Sequence, residues 1–278
     1  MSEAWNKPIR HFCESYHTGG PEVLNSLSSL LISWLAWIGL FGSMNNHYNT
    51  LTKLCYSSLF ICGIGSFGFH WTLTEAWSFL DTFPMTVSSC LGLYVAWLTL
   101  SSEIPYFKKS SLSHRMSKTS LFVSGLLITT LMLNAVYGNV QYDNLFTILG
   151  FLISITIMCI WRIKHPNVTI LPLHKVSTAV EEVAIRMILK GLCYVTVAAL
   201  FWTASEKFCM KYSWIRFLHL HSLWHMVVSY GVYLQLQGYT AISAYLWGCK
   251  AVINNPTGFL PGVTYYKLYT DYYRVDLH

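Results

Sequence analysis

The sequence predicts an all-α membrane protein, a bundle of seven transmembrane helices with a metal site between them. Three observations carry this. Only 11% of the residues are charged, while 54% are hydrophobic and 16% aromatic; an average soluble domain is about 25% charged. Apolar runs of about the length that spans a bilayer, roughly 20 residues, recur at 24–42, 54–73, 79–101, 120–137, 145–163, 185–203 and 217–236. Ionisable residues then interrupt three of those runs, and all at the same end of the bundle. A chain this poor in charge excludes an ordinary soluble globule. The net charge of +6 is scattered between apolar runs, which fits anionic lipid headgroups rather than nucleic acid.

Residues 1–23 are polar and mixed, without the apolar centre of a cleavable signal peptide, and form an N-terminal extramembrane segment. Residues 24–236 are the seven-helix domain. Residues 237–278 are a tyrosine-rich tail, with an Asn-Pro-Thr-Gly turn at 255–258, read as an interfacial end rather than an eighth span. An odd number of spans places the termini on opposite sides. The C-terminal side carries twelve Lys/Arg in its loops against five on the other, Lys7, Arg10, Lys207, Lys211 and Arg216. The positive-inside rule then puts the C terminus in the cytosol and the N terminus in the lumen or outside.

The second span ends with Ser66 and His70, the third begins near Asp81, and the seventh opens with His219, His221 and His225. All of these ends face the N-terminal side. An ionisable group in a bilayer costs several kcal/mol unless paired or bound, so a shared site is expected. His221 and His225 are four apart and project from one helical face. His70 is the third imidazole, and three histidines with an open fourth position form the catalytic zinc arrangement. Such a zinc lowers the pKa of water to about 7. Asp81 is then the proton acceptor or a partner of a ligand histidine, and Ser66 an oxyanion donor. Taken singly, each residue has a structural reading. An isolated His-x3-His can be packing, Ser66 can bond back to a helix carbonyl, and Asp81 can cap the third helix. His219 lies off the shared face and reads as interfacial. The eight cysteines show no Cys-x2-Cys spacing, and most sit in apolar runs as packing residues.

The order Ser-x3-His, Asp, His-x3-His across seven spans resembles the CREST superfamily of membrane hydrolases, and within it the alkaline ceramidases. GIGSFGFHWTL at 63–73, LDTFPM at 80–85 and LHSLWHMVVSYGVYL at 220–234 are similar to that family's signature segments; so are CESYHTGGPEVLNSLSSLL at 13–31 and FWTASEKFC at 201–209. The resemblance implies a zinc-dependent intramembrane amidase that cleaves the N-acyl bond of ceramide, at an endoplasmic reticulum or Golgi membrane. His70, His221 and His225 would bind zinc, with Ser66 and Asp81 catalytic. It also implies a calcium site involving Glu14 and Glu22. Here His11 and Tyr16 stand where oxygen ligands are expected, and calcium prefers six to eight oxygens, so the site is weakened; Glu22 and Asn25 as caps of the first helix is the competing reading. Thr82 replaces the acid that follows the family's aspartate. Cys13 and Cys209, the two cysteines outside the bilayer on the N-terminal side, match cysteine-bearing segments of the family and are expected to pair. Two rival functions stand beside the amidase: a Per1-like acyl-ester lipid hydrolase, suggested by Thr74 and Glu75, and a non-enzymatic receptor-like member. No protein partner is evident; the expected partner is a membrane lipid.

Overall fold

The computed structural model describes residues 12–18, 20–44, 50–101, 178–209, 211–243, 249–255 and 258–267. The expected fourth and fifth spans, 120–137 and 145–163, lie outside these. The described chain is mostly helical: α1 (Cys13–Thr18), α2 (Val23–Met44), α3 (Thr50–Thr72), α4 (Glu75–Ser101), α5 (Thr178–Phe208) and α6 (Leu220–Ser243). A 3₁₀ turn, Ser213–Leu218, precedes α6.

The helices bury many polar side chains beside their apolar core and expose large apolar ones. Ser26, Ser29 and Ser33 of α2 are buried while Trp34, Trp37 and Phe41 of the same helix are exposed. Gln235, Gln237 and Thr240 of α6 are buried, whereas Leu200 of α5 is 65% exposed. Water would disfavour that arrangement and a hydrocarbon surround favours it, because only internal polar groups can then find partners. Two helical stretches among the described residues are long and apolar enough to cross a membrane, Val23–Gly42 and Glu182–Phe208. The remaining long helices fall below that standard because they spend positions on buried polar residues: Ser58, Ser66 and His70 in α3, Thr86 and Ser88 in α4, and His221 and Gln235 in α6.

α2 packs on α3, α3 on α4, and α5 along α6, with α2 also against α6. The closest approaches need glycine. A Cβ on Gly65 would stand 2.2 Å from the Leu80 carbonyl oxygen and 2.7 Å from the Asp81 nitrogen, so α3 and α4 meet there backbone to backbone. Pro84 lies inside α4 and cannot donate to the Leu80 carbonyl. Its own carbonyl accepts from Ser58 Oγ at 2.6 Å, which ties the interrupted turn to α3. Between α5 and α6, the virtual Cβ of Gly191 falls 2.5 Å from the Gly231 carbonyl oxygen.

The tail is not wholly irregular. β1 (Cys249–Asn254) and β2 (Gly262–Lys267) pair antiparallel, Cys249 opposite Lys267 and Asn254 opposite Gly262. The turn expected at 255–258 is present: Gly258 N–H donates to the Asn255 carbonyl at 3.0 Å, with Asn255 at φ 51°. This hairpin packs on α2, α5 and α6. Inward-facing side chains of α6 hold it, Tyr230 donating to the Phe259 carbonyl and Tyr233 to that of Pro261, each at 2.8 Å. Gln237 Oε1 accepts from Val263 N at 3.0 Å.

Candidate metal centre

Two irregular backbone positions set the histidines. α3 stops at Thr72, and Leu73 follows in the left-handed region at φ 58°. Such a position costs about 1–3 kcal/mol in a non-glycine residue; Leu73 is buried against Phe12 and Phe69, which offsets it. The turn leaves His70 in the last turn of α3, where its carbonyl is satisfied by Glu22 N–H at 3.0 Å. His219 is left-handed too, at φ 45°. It separates the 3₁₀ turn from α6 and so places His221 at the second residue of the new helix. His219 shapes this entry and stands outside the cluster.

His70, His221 and His225 converge. Their ligand atoms lie within 4.8 Å of one another, their ring centroids are 4.9–5.0 Å apart, and they are 1%, 4% and 0% exposed. Two of the outer nitrogens are hydrogen-bonded to oxygens, and the third faces a carboxylate at ion-pair distance. His70 Nδ1 is 2.6 Å from Glu22 Oε2, His225 Nδ1 is 2.9 Å from Ser28 Oγ, and His221 Nδ1 is 3.7 Å from Glu206 Oε1. A carboxylate only accepts, so the proton of a neutral His70 sits on Nδ1 and leaves the Nε2 lone pair for a ligand. Among the described residues, His225 Nε2 is buried with no hydrogen-bond partner, which costs about 1–3 kcal/mol if nothing takes it. Three buried imidazoles in an oxygen-braced ring fit a bound metal ion, and this donor set suits zinc. Phe12 closes one side, 4.8 Å from His70 and 4.6 Å from His221. Trp224 stands against His221 and His225 at 5.1 and 4.8 Å.

Glu22 is the hub of the bracing network. Fully buried, it accepts from Phe12 N at 2.9 Å, Ser15 N at 3.3 Å, Ser15 Oγ at 2.5 Å and Asn25 Nδ2 at 3.0 Å, besides His70. Burial alone pushes its carboxyl up, but the hydrogen bonds from His70, Ser15 and Asn25 hold it below the ordinary value. Asn25 Oδ1 accepts from Ser222 Oγ at 2.7 Å, linking α2 to the helix that carries two of the histidines. Glu14 accepts from Leu24 N and Asn25 N at 3.2 and 3.3 Å, so it caps α2, whose first-turn N–H groups would otherwise be orphaned.

Ser66 is buried one turn before His70. Asp81 falls in the second turn of α4, not at its start, because that helix begins at Glu75; the capping alternative therefore does not hold. Cys62 Sγ donates to the Asp81 carbonyl at 3.3 Å and lies 3.8 Å from Oδ1. The Asp81 nitrogen lies against Gly65 and its carbonyl against Cys62, so Asp81 stands between one and two turns below His70 along α3. Asp81, Cys62 and Trp224 share the lining of an apolar cavity of about 970 Å³, open mouth included, which continues to Leu35, Tyr56 and Tyr233. Thr74 and Glu75 sit at the α4 entry, Glu75 exposed. Sequence reading did not find Glu22 as the His70 partner, nor Ser28 or Glu206. The available signal was polar residues 22, 25 and 28 recurring on one side of an apolar helix.

Cys13 and Cys209 are disulfide-bonded, with Cα atoms 5.6 Å apart and 196 residues between them in sequence. The bridge fastens α1, and with it Phe12 and Ser15, to the end of α5, three residues past Glu206.

Helices that bury polar groups and expose apolar ones around three braced imidazoles define a class: a membrane-associated helical protein with a candidate metal centre. The family profile described as Ceramidase matches residues 10–252. An alkaline ceramidase of Arabidopsis thaliana is 23% identical over 257 residues, covering 92% of this chain and 86% of its own length. The chain belongs to the ceramidase family and is a hydrolase of that type.

Proposed function

We propose that this protein is a seven-helix, zinc-dependent intramembrane amidase that hydrolyses the N-acyl bond of ceramide to a sphingoid base and a fatty acid. One observation supports it most: three buried histidines, two of them with hydrogen-bonded outer nitrogens, beside an apolar cavity, in a chain of this family. His70, His221 and His225 would hold the zinc ion, which would supply a Lewis acid and lower the pKa of water to about 7. The protein's own groups do the rest. Glu22 fixes the tautomer and orientation of His70, as Ser28 does for His225. Asp81 takes the water proton and passes it to the leaving amine, and Ser66 donates to the carbonyl oxygen as it becomes an oxyanion. Phe12 and Trp224 keep bulk water from the imidazoles, and the apolar cavity takes the acyl chain. Glu14 and Glu22 are assigned to capping and bracing rather than to calcium, since N–H and O–H donors already occupy their oxygens.

We place the N terminus in the lumen of the endoplasmic reticulum or Golgi and the C terminus in the cytosol. The Cys13–Cys209 bridge supports the lumenal side, where disulfides persist. The test is hydrolysis by the purified protein of labelled ceramide and of a phospholipid ester, each with and without a chelator. Chelator-sensitive release of fatty acid from ceramide alone is the expected outcome. Preference for the ester favours a lipid acyl-ester hydrolase, and no turnover of either overturns the enzyme reading.

A further inference from the structure

The far end of the apolar cavity is closed by two tyrosines. Tyr56 of α3 and Tyr233 of α6 line that cavity and also line a second hollow of about 540 Å³, open mouth included, which lies beneath the hairpin among Thr52, Gln237 and Asn254. A partition shared by an apolar chamber and one of mixed lining stops an alkyl chain, since crossing it means clashing with two rings and then desolvating the polar groups of Thr52, Gln237 and Asn254. The partition is held from behind. Tyr56 Oη accepts from Gln237 Nε2 at 2.7 Å, Gln237 Oε1 accepts from Val263 N at 3.0 Å, and Tyr233 Oη donates to the Pro261 carbonyl at 2.8 Å. The Tyr56 ring also rests on the α2 backbone, where a Cβ on Gly39 would come 2.2 Å from it. Both residues are buried, at 1% and 3% exposure, and neither can swing aside without breaking these bonds.

We propose that Tyr56 and Tyr233, anchored by the C-terminal hairpin, form the floor of the acyl-chain cavity and set the longest chain it accepts. The inference rests on the reading of the cavity as the lipid-chain site. Counting helix rise, the floor lies roughly 12 Å below His225 along α6 and roughly 21 Å below His70 along α3. One leaflet of a bilayer has a hydrocarbon depth of about 15 Å. The chamber therefore holds a chain of ordinary membrane length, and longer chains must fold or stay partly outside.

The experiment uses the intact chain in nanodiscs. A bound fluorescent polyene fatty acid is displaced by saturated fatty acids of increasing length, for wild type, Tyr56→Ala and Tyr233→Leu. Wild-type affinity should rise with length to a limit and then fall, by roughly tenfold for each methylene beyond it; the limit should move to longer chains in the variants. Near-ultraviolet circular dichroism on the same samples reports whether the variants are folded. Wild-type affinity that keeps rising to the longest chain overturns the proposal by itself, without recourse to the variants. A limit that stays put in a folded variant overturns it equally. Ceramide hydrolysis is measured in parallel, so loss of the amidase reading shows as a chain-length limit without turnover.

Discussion

Replacing Glu22 by Gln isolates the bracing of His70 from everything else the side chain does. The shape is kept, and the amide oxygen can still accept from Phe12 N and Ser15. The other carboxylate oxygen becomes an NH₂ that faces two donors, His70 Nδ1–H at 2.6 Å and Asn25 Nδ2 at 3.0 Å. His70 must then flip its tautomer, which places the proton on the nitrogen meant for the metal, or turn its ring away. Loss of an outer partner of a ligand histidine typically costs 10–100-fold in metal affinity, about 1.4–2.8 kcal/mol. Glu22→Ala is the wrong test. It would leave several buried donors unpaired at about 1–3 kcal/mol each, comparable to a whole domain's stability of about 5–15 kcal/mol. The assay is zinc content by mass spectrometry against a graded competing chelator, with a melting curve for each protein. Zinc affinity within twofold of wild type, at an unchanged melting temperature, would refute the bracing role of Glu22.

Asp81→Asn should keep its zinc and lose about 10²–10⁴-fold in turnover, and Ser66→Ala about 10²–10³-fold; single-turnover hydrolysis with metal analysis reads both, and near-wild-type rates would remove either residue from the chemistry. Gly65→Ala drives a methyl into the Leu80 carbonyl, so α3 and α4 must part beside Asp81; turnover should fall while zinc content holds, and an unchanged rate would show that the helices absorb the strain elsewhere. Reducing or substituting the Cys13–Cys209 pair removes closure of a 196-residue loop, worth up to about 5 kcal/mol by the chain-entropy argument. The melting temperature should drop, and recovery of the two as separately alkylated peptides from unreduced protein would deny the bridge.

The parts legible in the sequence were those written at short range. His221 and His225 announce a common face of α6 by their spacing, and Ser66 and His70 do the same on α3. The disulfide followed from sidedness together with the family resemblance. What escaped was set by partners distant in the chain. Glu22 meets His70 across 48 residues and Ser28 meets His225 across 197, and neither spacing leaves a local trace. Helix ends moved for physical reasons of the same kind. α4 starts at Glu75, before the apolar run at 79, since the tight turn at Leu73 already points the chain back. α6 continues to Ser243 because Gln237 and Thr240 are buried toward the hairpin, where polarity does not end a helix. Two of the described helices are apolar enough throughout to cross a membrane, and each buried serine, histidine or glutamine that serves the interior lowers the hydropathy of the others.

The bridge between Cys13 and Cys209 also orders events in time. Its first thiol is made early and its second only 196 residues later, about 10–40 s at ordinary rates of synthesis. Through that interval α1, Phe12 and Ser15 have no covalent hold on the centre, and neither Glu206 nor the α6 histidines exist. The chain therefore emerges with one of the three clustered histidines, and the bridge can close only as the other two arrive. Closure of the bridge and completion of the three-histidine cluster thus fall at the same late stage of synthesis, and a chain kept reduced would hold the cluster without its covalent fastening.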